Sequence, residues 1–206
     1  MINYNFINSI LGRFEGKGYA RAYIPCQRGT WFGGTDPDRG APLGVSGVTI
    51  ATGVDLGQQT KEGLAAMGIS ASTISILEPY IGLRQEKAAE KLKSKPLTIT
   101  AEQVQEIDDA VHKFYINDTA RKFGQARFEA APKEVQAVAV SLCYQFGAPN
   151  RSASPALALA WEAMQTGMYA DAAKYLSTPS GWSAGHRLFM SRRVQEAELL
   201  MKTLEI

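Results

Sequence analysis

The chain has 206 residues, of which 45% are hydrophobic, enough for a domain with its own core. Its 22 Lys and Arg residues nearly balance its 20 Asp and Glu residues, and a net charge of +2 favours neither a nucleic-acid partner nor an anionic membrane surface. The two cysteines, Cys26 and Cys143, are expected to be separate thiols.

The first predicted element is a helix over residues 3–14, where apolar side chains recur at helical spacings and glycines follow. Residues 18–58 are rich in glycine and proline, with GVTIATGV as the best strand and GGTDPDRGAPLG as a long loop. Within that loop Asp36 and Asp38 fit turn chemistry, because Asp accepts hydrogen bonds from nearby backbone N–H groups.

From Thr60 onward the patterns are helical. Ser70 and Ser72 are candidate N-caps, GLRQEKAAEKLKSK is rich in helix-forming residues, and TAEQ at 100–103 is a capping box.

Four more helices are predicted toward the C-terminus. One begins near Pro132, ends at Gly147 and has an apolar stripe formed by Val135, Val138, Ala139, Leu142 and Phe146. The others span 155–166, 168–176 and 186–204. The apolar face of the last helix is predicted to consist of Met190, Val194, Ala197, Met201 and Leu204.

These elements predict an α+β fold, mainly α, in a single domain of residues 1–206. A first helix (1–17) would lead into a small glycine-rich β lobe (18–59), followed by a larger helical lobe (60–206). Glu15 falls where the first helix meets the β lobe. Clefts between lobes are common ligand sites, so we expect the active-site cleft between the two lobes.

Glu15 is poorly explained by local stability, because a negative charge near a helix C-terminus opposes the helix dipole. Glycosidases commonly use two carboxyl groups, one that donates a proton and one that is ionised. Asp55 is the best partner, since it follows the predicted strand, and Thr49 near it could help to hold a water molecule. The alternatives are that Asp55 caps a helix near residue 60 and that Thr49 only reflects strand propensity.

Two short motifs, FEG at 14–16 and SGVTIATGVDLG at 46–57, resemble the phage-type lysozymes and most closely their pesticin-like branch. AVAVSLCYQFG at 137–147 is similar to the buried central helix of that family, and residues 167–200 are similar to its closing helices. The likeness covers nearly the whole chain and implies a lysozyme-like fold.

The resemblance implies a peptidoglycan hydrolase, an N-acetylmuramidase that cleaves the β-1,4 bond between N-acetylmuramic acid and N-acetylglucosamine. Glu15 would be the general acid, Asp55 the base or electrostatic stabiliser, and Thr49 the residue that orients water. In the classical phage lysozymes an Asp stands nine residues after the Glu, where this chain has Ile24. The resemblance to the pesticin-like branch therefore implies that Asp55 is the second carboxylate. Two alternatives remain open: a lytic transglycosylase, which needs only the Glu, and a non-catalytic module that binds murein or a partner.

Trp31, or its neighbour Phe32, is expected to stack on a sugar face, although an aromatic residue in a loop is as often a packing anchor. Gln145 is a further candidate for substrate contact. His112 and His186 have no pattern of carboxylates or cysteines around them that would suggest a metal site. We therefore expect neither a metal nor a cofactor.

The N-terminal MINYNFINSILGRF lacks the features of a secretory signal, and no later run approaches the length of a membrane span. We expect a monomer made in the cytoplasm without a signal peptide and bound to neither membrane nor nucleic acid. Its partner would be the glycan strands of peptidoglycan, reached in the periplasm or cell wall after delivery as a phage endolysin, a toxin domain or an injected effector. A toxin would imply a periplasmic immunity protein in the producing cell.

Overall fold

The computed structural model describes residues 1–16, 18–34, 38–147, 154–187 and 189–205. Within these ranges the chain is mainly helical with one small antiparallel sheet, which confirms the predicted α+β class. It packs into two compact units, one formed by Glu15–Lys113 and the other by Met1–Phe14 together with Phe114–Ile206. The predicted turn residue Asp36 lies outside the described residues.

The first helix, α1, spans Tyr4–Glu15, close to its predicted bounds. The sheet has the spatial order β2-β1-β3-β4 and consists of β1 (Tyr19–Cys26), β2 (Gly29–Trp31), β3 (Thr49–Ala51) and β4 (Val54–Asp55). The helices that follow in this unit are α2 (Lys61–Met67), α3 (Ala71–Leu77), α4 (Gln85–Ser94) and the first part of α5 (Ala101–Phe123). Helices α2–α4 thus belong to the same compact unit as the sheet, whereas the sequence placed them in the helical lobe.

Strand β1 was not expected from the sequence. Its side chains alternate, so that Ala22, Ile24 and Cys26 are buried while those between them are more exposed. Pro25 within it argues against a central strand, because proline has no N–H to donate. The pairing with β3 ends at Tyr23, however, and Pro25 pairs with Thr30 of β2, while its carbonyl accepts a 2.9 Å hydrogen bond from the Leu43 N–H.

The predicted single strand GVTIATGV is instead a hairpin of β3 and β4. Ala51 and Gly53 adopt φ angles of +51° and +90°, which turn the chain. The backbone N–H of Thr52, at the tip, donates a 2.9 Å hydrogen bond to Oδ1 of Asp108 on α5. The turn therefore depends on a helix distant in sequence as well as on its glycine.

Two of the predicted caps form as expected. The Ser70 hydroxyl accepts from the Thr73 N–H at the start of α3. In the capping box before α5, the Thr100 N–H donates to Gln103 Oε1 at 2.9 Å and the Gln103 N–H donates to Thr100 Oγ1 at 3.2 Å.

The second unit contains α6 (Gln125–Ala130), α7 (Lys133–Phe146), α8 (Pro155–Gln165), α9 (Tyr169–Ser177), α10 (Ala184–Arg187) and α11 (Met190–Met201). Helix α7 carries the predicted stripe and is buried over most of its length, as expected for a central helix. Among the described residues, none of the helices combines the length and apolarity that crossing a membrane requires.

The predicted apolar face of α11 is wrong. Val194 and Met201 are 40% and 44% exposed, whereas Arg193 and Glu196 are fully buried. Arg193 Nη2 lies 2.8 Å from Glu196 Oε1, and the same carboxylate accepts a hydrogen bond from the Ser141 hydroxyl of α7. A buried charge is tolerated when an opposite charge and hydrogen bonds accompany it, so two charged residues occupy core positions that the pattern reserved for apolar ones.

Candidate active site

Glu15 is the last residue of α1 and is partly exposed. Gly16 follows with a φ of +80°, a left-handed conformation that ends the helix without strain. At Gly18 a Cβ atom would lie only 2.7 Å from both Asp108 Oδ2 and Val104 Cγ1 of α5. These two glycines allow the chain to pass from α1 into β1 immediately after the carboxylate.

Thr49 and Asp55 are direct cross-strand partners in the β3–β4 hairpin, and Tyr23 of β1 pairs with Thr49 from the other side. Residues opposite each other in antiparallel strands point to the same face, with Cβ atoms about 4.5–5.5 Å apart. The structure thus brings together the two residues that the sequence proposed as holders of one water. Thr49 is 3% exposed, and its hydroxyl donates a 3.4 Å bond to the Gly47 carbonyl.

The Asp55 carboxylate is fixed by two glycine N–H groups. Its Oδ1 accepts hydrogen bonds from the backbone N–H groups of Gly47 at 3.0 Å and Gly57 at 2.8 Å. The two glycines touch each other, since a Cβ on Gly47 would lie 2.6 Å from the Gly57 Cα and 2.4 Å from the Leu83 carbonyl oxygen. Only the absence of both side chains lets the two N–H groups converge on one oxygen.

The alternative interpretation of Asp55 was that it caps a helix near residue 60. Asp55 does cap a helix, but a different one. Asp55 is the N-cap of a short 3-10 helix, Leu56–Gln58, through its bond from Gly57. Helix α2 is capped instead by Thr60, which accepts from the Gly63 N–H. One oxygen of Asp55 is therefore used structurally, which orients the carboxyl group as a whole.

The pKa of Asp55 is raised, and burial of the carboxyl group is the main cause. The hydrogen bonds from Gly57 and Gly47 and the positive charge of Arg84 act in the opposite direction and lower the pKa. Arg84 is tied to the same loop, because its Nε donates a 2.8 Å bond to the Gly57 carbonyl. Burial prevails, so the carboxyl group takes up a proton more readily than an exposed aspartate does.

Two titratable residues that were not predicted to belong to the active site lie near the carboxylates. The pKa of the Tyr23 phenol is raised, chiefly by burial and further by Tyr19 and by the charges of Glu15 and Asp55. The pKa of His112 is lowered, chiefly by burial, against the opposing charges of Asp108, Asp109 and Glu15. Tyr23 therefore lies within electrostatic reach of both candidate catalytic acids, and His112 within reach of Glu15. The alternation of residues 19–26 was the only sequence signal for Tyr23.

The two predicted substrate contacts have other partners. Trp31 is 6% exposed, and the guanidinium of Arg39 lies 4.7 Å from the centroid of its ring. The ring thus packs against Arg39, and its stacking on a sugar stays a prediction. Gln145, in α7 of the second unit, accepts a 2.7 Å hydrogen bond from the buried Arg193, so its contact with substrate stays a prediction.

The described part of the chain contains no group of three or more His, Cys, Asp or Glu side chains that could hold a metal ion. Asp55 accepts hydrogen bonds from two backbone N–H groups and lies within reach of the charge of Arg84, and the charges of both Glu15 and Asp55 act on the Tyr23 phenol. Such an arrangement can move protons and orient water.

Comparisons with known proteins give one family. A family model described as "Pesticin: Bacterial toxin homologue of phage lysozyme, C-term" matches residues 4–165. The matched range includes α1, the whole sheet and the helices through α8, and hence Glu15, Thr49 and Asp55. A comparison with curated protein sequences finds no match.

Proposed function

Because the chain belongs to the Pesticin family of phage-lysozyme homologues, we propose that it is an N-acetylmuramidase that cleaves the β-1,4 bond between N-acetylmuramic acid and N-acetylglucosamine. The family membership supports an enzyme of the glycoside hydrolase type. The observation that carries the finer proposal is the direct pairing of Thr49 with Asp55, whose carboxylate is held by the N–H groups of Gly47 and Gly57.

In the proposed reaction the Glu15 carboxyl group donates its proton to the glycosidic oxygen as the bond from that oxygen to the anomeric carbon breaks. A water molecule between Thr49 and Asp55 attacks the anomeric carbon from the opposite face and gives a proton to Asp55. The carboxyl group that would take this proton is held in place by the backbone N–H groups of Gly47 and Gly57, both of which donate to Oδ1. In an inverting enzyme of this kind the two carboxyl groups lie roughly 6.5–9.5 Å apart.

The raised pKa of Asp55 supports its assignment as the base. A carboxylate with a higher pKa is a stronger base, and general-base catalysis improves as the pKa approaches the working pH. The hydrogen bonds and the charge of Arg84 act against burial and limit the rise in the pKa.

The experiment is an analysis of the products from purified sacculi, by mass spectrometry and early-time NMR. We expect reducing-end muramic acid residues, released first in the α configuration, because attack by water inverts the β bond. Glu15→Gln should reduce the rate at least about a hundredfold with an unchanged melting temperature, since the amide keeps the shape and cannot donate the proton in the same way.

The rival functions predict different products. Anhydro ends would identify a lytic transglycosylase, which does not need Asp55. An initial β product would contradict the role of Asp55 as the group that activates water. A well-folded protein that releases nothing would be a murein-binding or partner-binding module.

We propose further that the enzyme acts in the periplasm or cell wall of a bacterium after delivery. The support is the description of the family, which names a bacterial toxin, together with a substrate that lies outside the cytoplasm. A producing cell with the same murein would then need a periplasmic immunity protein.

A further inference from the structure

Three aromatic side chains form a cluster on the sheet, which we call the aromatic patch: Tyr19 and Tyr23 of β1 and Phe32 just after β2. The ring centroids of Tyr19 and Tyr23 are 5.1 Å apart, and Phe32 lies 5.8 Å from Tyr19 and 5.9 Å from Tyr23. The rings meet at 54–66° to one another, within the range of favourable edge-on contacts.

The patch is held in place yet leaves one ring open to solvent. Arg21 Nη2 donates a 3.0 Å bond to the Phe32 carbonyl, and its guanidinium carbon lies 5.4 Å from the centroid of the Phe32 ring. Tyr23 and Phe32 are half-buried, whereas Tyr19 is 49% exposed. A large exposed ring supported by two others is pre-organised for contact and loses little entropy when a ligand covers it.

The position of the patch indicates what would cover it. Tyr23 is its inner member and also the first residue of the cross-strand row Tyr23, Thr49, Asp55. Along this row the patch adjoins Asp55, and Tyr23 also lies within electrostatic reach of Glu15. A polymeric substrate bound at those acids extends beyond the bond that is cleaved.

We propose that the aromatic patch is a saccharide subsite, in which the C–H face of a hexosamine ring of the glycan strand stacks on Tyr19. The Tyr23 and Phe32 rings pack against the Tyr19 ring and hold it in place. The inference rests on the proposed function, because it takes its ligand from the substrate of the neighbouring acids. Arg21 places a positive charge at the edge of the patch, which suits a strand that carries carboxylates.

The test measures binding separately from catalysis. The parent is the full chain carrying Glu15→Gln, and the variant carries Tyr19→Leu in addition. Their affinities for chitohexaose are measured by calorimetry, and their affinities for sacculi by co-sedimentation. We expect Tyr19→Leu to bind about three- to tenfold more weakly, the loss typical of one aromatic contact. Tyr19→Phe, which keeps the ring, should bind like the parent.

Tyr4→Leu is the matched control, because Tyr4 is 39% exposed on α1 and makes one exposed hydrogen bond, to Asn117. Equal melting temperatures for all variants would show that the loss is local. The subsite would be overturned if Tyr19→Leu bound like the parent, or if Tyr4→Leu bound as weakly as Tyr19→Leu. It would also be overturned if the parent bound neither probe. The proposed function is judged independently, by the products of the chain with Glu15 intact.

Discussion

The pKa of Asp55 results from opposing interactions of one side chain. Burial disfavours the charged form and raises the pKa, while two backbone N–H groups and the charge of Arg84 favour the charged form. A base must be ionised to act, so activity is lost as the pH falls through this pKa. Because the pKa is raised, the acidic limb of the pH–activity profile should lie above that of an ordinary aspartate, whose pKa is about 3.9.

The charge of Arg84 offers a way to move that limb. Arg84→Met removes a charge that lowers the pKa of Asp55, so the acidic limb should shift to higher pH. Arg84→Lys keeps the charge and should shift it less. The measurement is kcat/KM on sacculi between pH 3 and 8 at constant ionic strength. Superimposable profiles for Arg84→Met and the parent would show that another group controls the acidic limb.

At the scale of elements, the β3–β4 hairpin and the loop on either side of it build the site. Gly47 precedes β3 and Gly57 follows β4, and the hairpin between them brings the two glycines into contact. Their N–H groups then converge on Asp55, which itself lies at the end of β4. The position of the carboxylate thus depends on how closely two backbone segments approach.

Gly47→Ala should damage both the site and the fold. The new Cβ would meet backbone atoms at 2.4 and 2.6 Å, which cannot move as a flexible side chain does. Such overpacking typically costs about 1–3 kcal/mol, and we expect a lower melting temperature together with at least a tenfold loss of activity. Circular dichroism melts and sacculus turbidity are the measurements.

Gly12→Ala is the control, because a Cβ there meets nothing within 4 Å on α1. Alanine in a helix interior is favoured over glycine by roughly 0.5–1 kcal/mol, so this variant should be as stable as the parent or more so. If Gly47→Ala behaved like Gly12→Ala, the contact between the two glycines would not be needed for the position of Asp55.

The sequence predicted the features that depend on near neighbours along the chain. The caps at Ser70 and Thr100 and the buried stripe of α7 each need only a few consecutive turns. β1 was missed because its small, polar and proline residues hide the alternation. The buried face of α11 was missed because Arg193 and Glu196 can be buried only when they form an ion pair with each other and Glu196 accepts a hydrogen bond from Ser141.

The site shows the same limit. Glu15, Thr49 and Asp55 could be proposed because the short motifs that contain them resemble those of a known family. Gly47, Gly57 and Tyr23 could not, because their roles depend on strand register and on backbone contact between segments. The packing of the Trp31 ring against Arg39 likewise could not be predicted, because it depends on a contact between two segments of the chain.

At the scale of the whole molecule, Glu15, Thr49, Asp55 and the aromatic patch all belong to one compact unit, Glu15–Lys113. The second unit has its own core around α7 and includes the buried Arg193–Glu196 pair. The family match extends over both units, as far as α8. Because the family match includes both units, the proposed activity should be tested with the full chain.

Directed to the periplasm of a Gram-negative host by an added signal peptide, the full chain should lyse the cells, while the same chain kept in the cytoplasm should not. The reason is that murein is accessible only from the periplasmic side. Culture turbidity and release of a cytoplasmic enzyme are the measurements, with Glu15→Gln expressed to the same level as the control. Equal lysis by Glu15→Gln, or lysis from the cytoplasm, would contradict the proposed mode of action.

The contact between Gly47 and Gly57 also has a genetic consequence. Every missense change in either codon adds a Cβ where the backbone of the other segment already lies, and no flexible neighbour can make room. In a population of cells or phages the two codons would be frequent sites of inactivating mutations, although neither residue has a side chain that takes part in the reaction. A saturation library selected for lysis should accept only glycine at both positions, while position 12 accepts many residues.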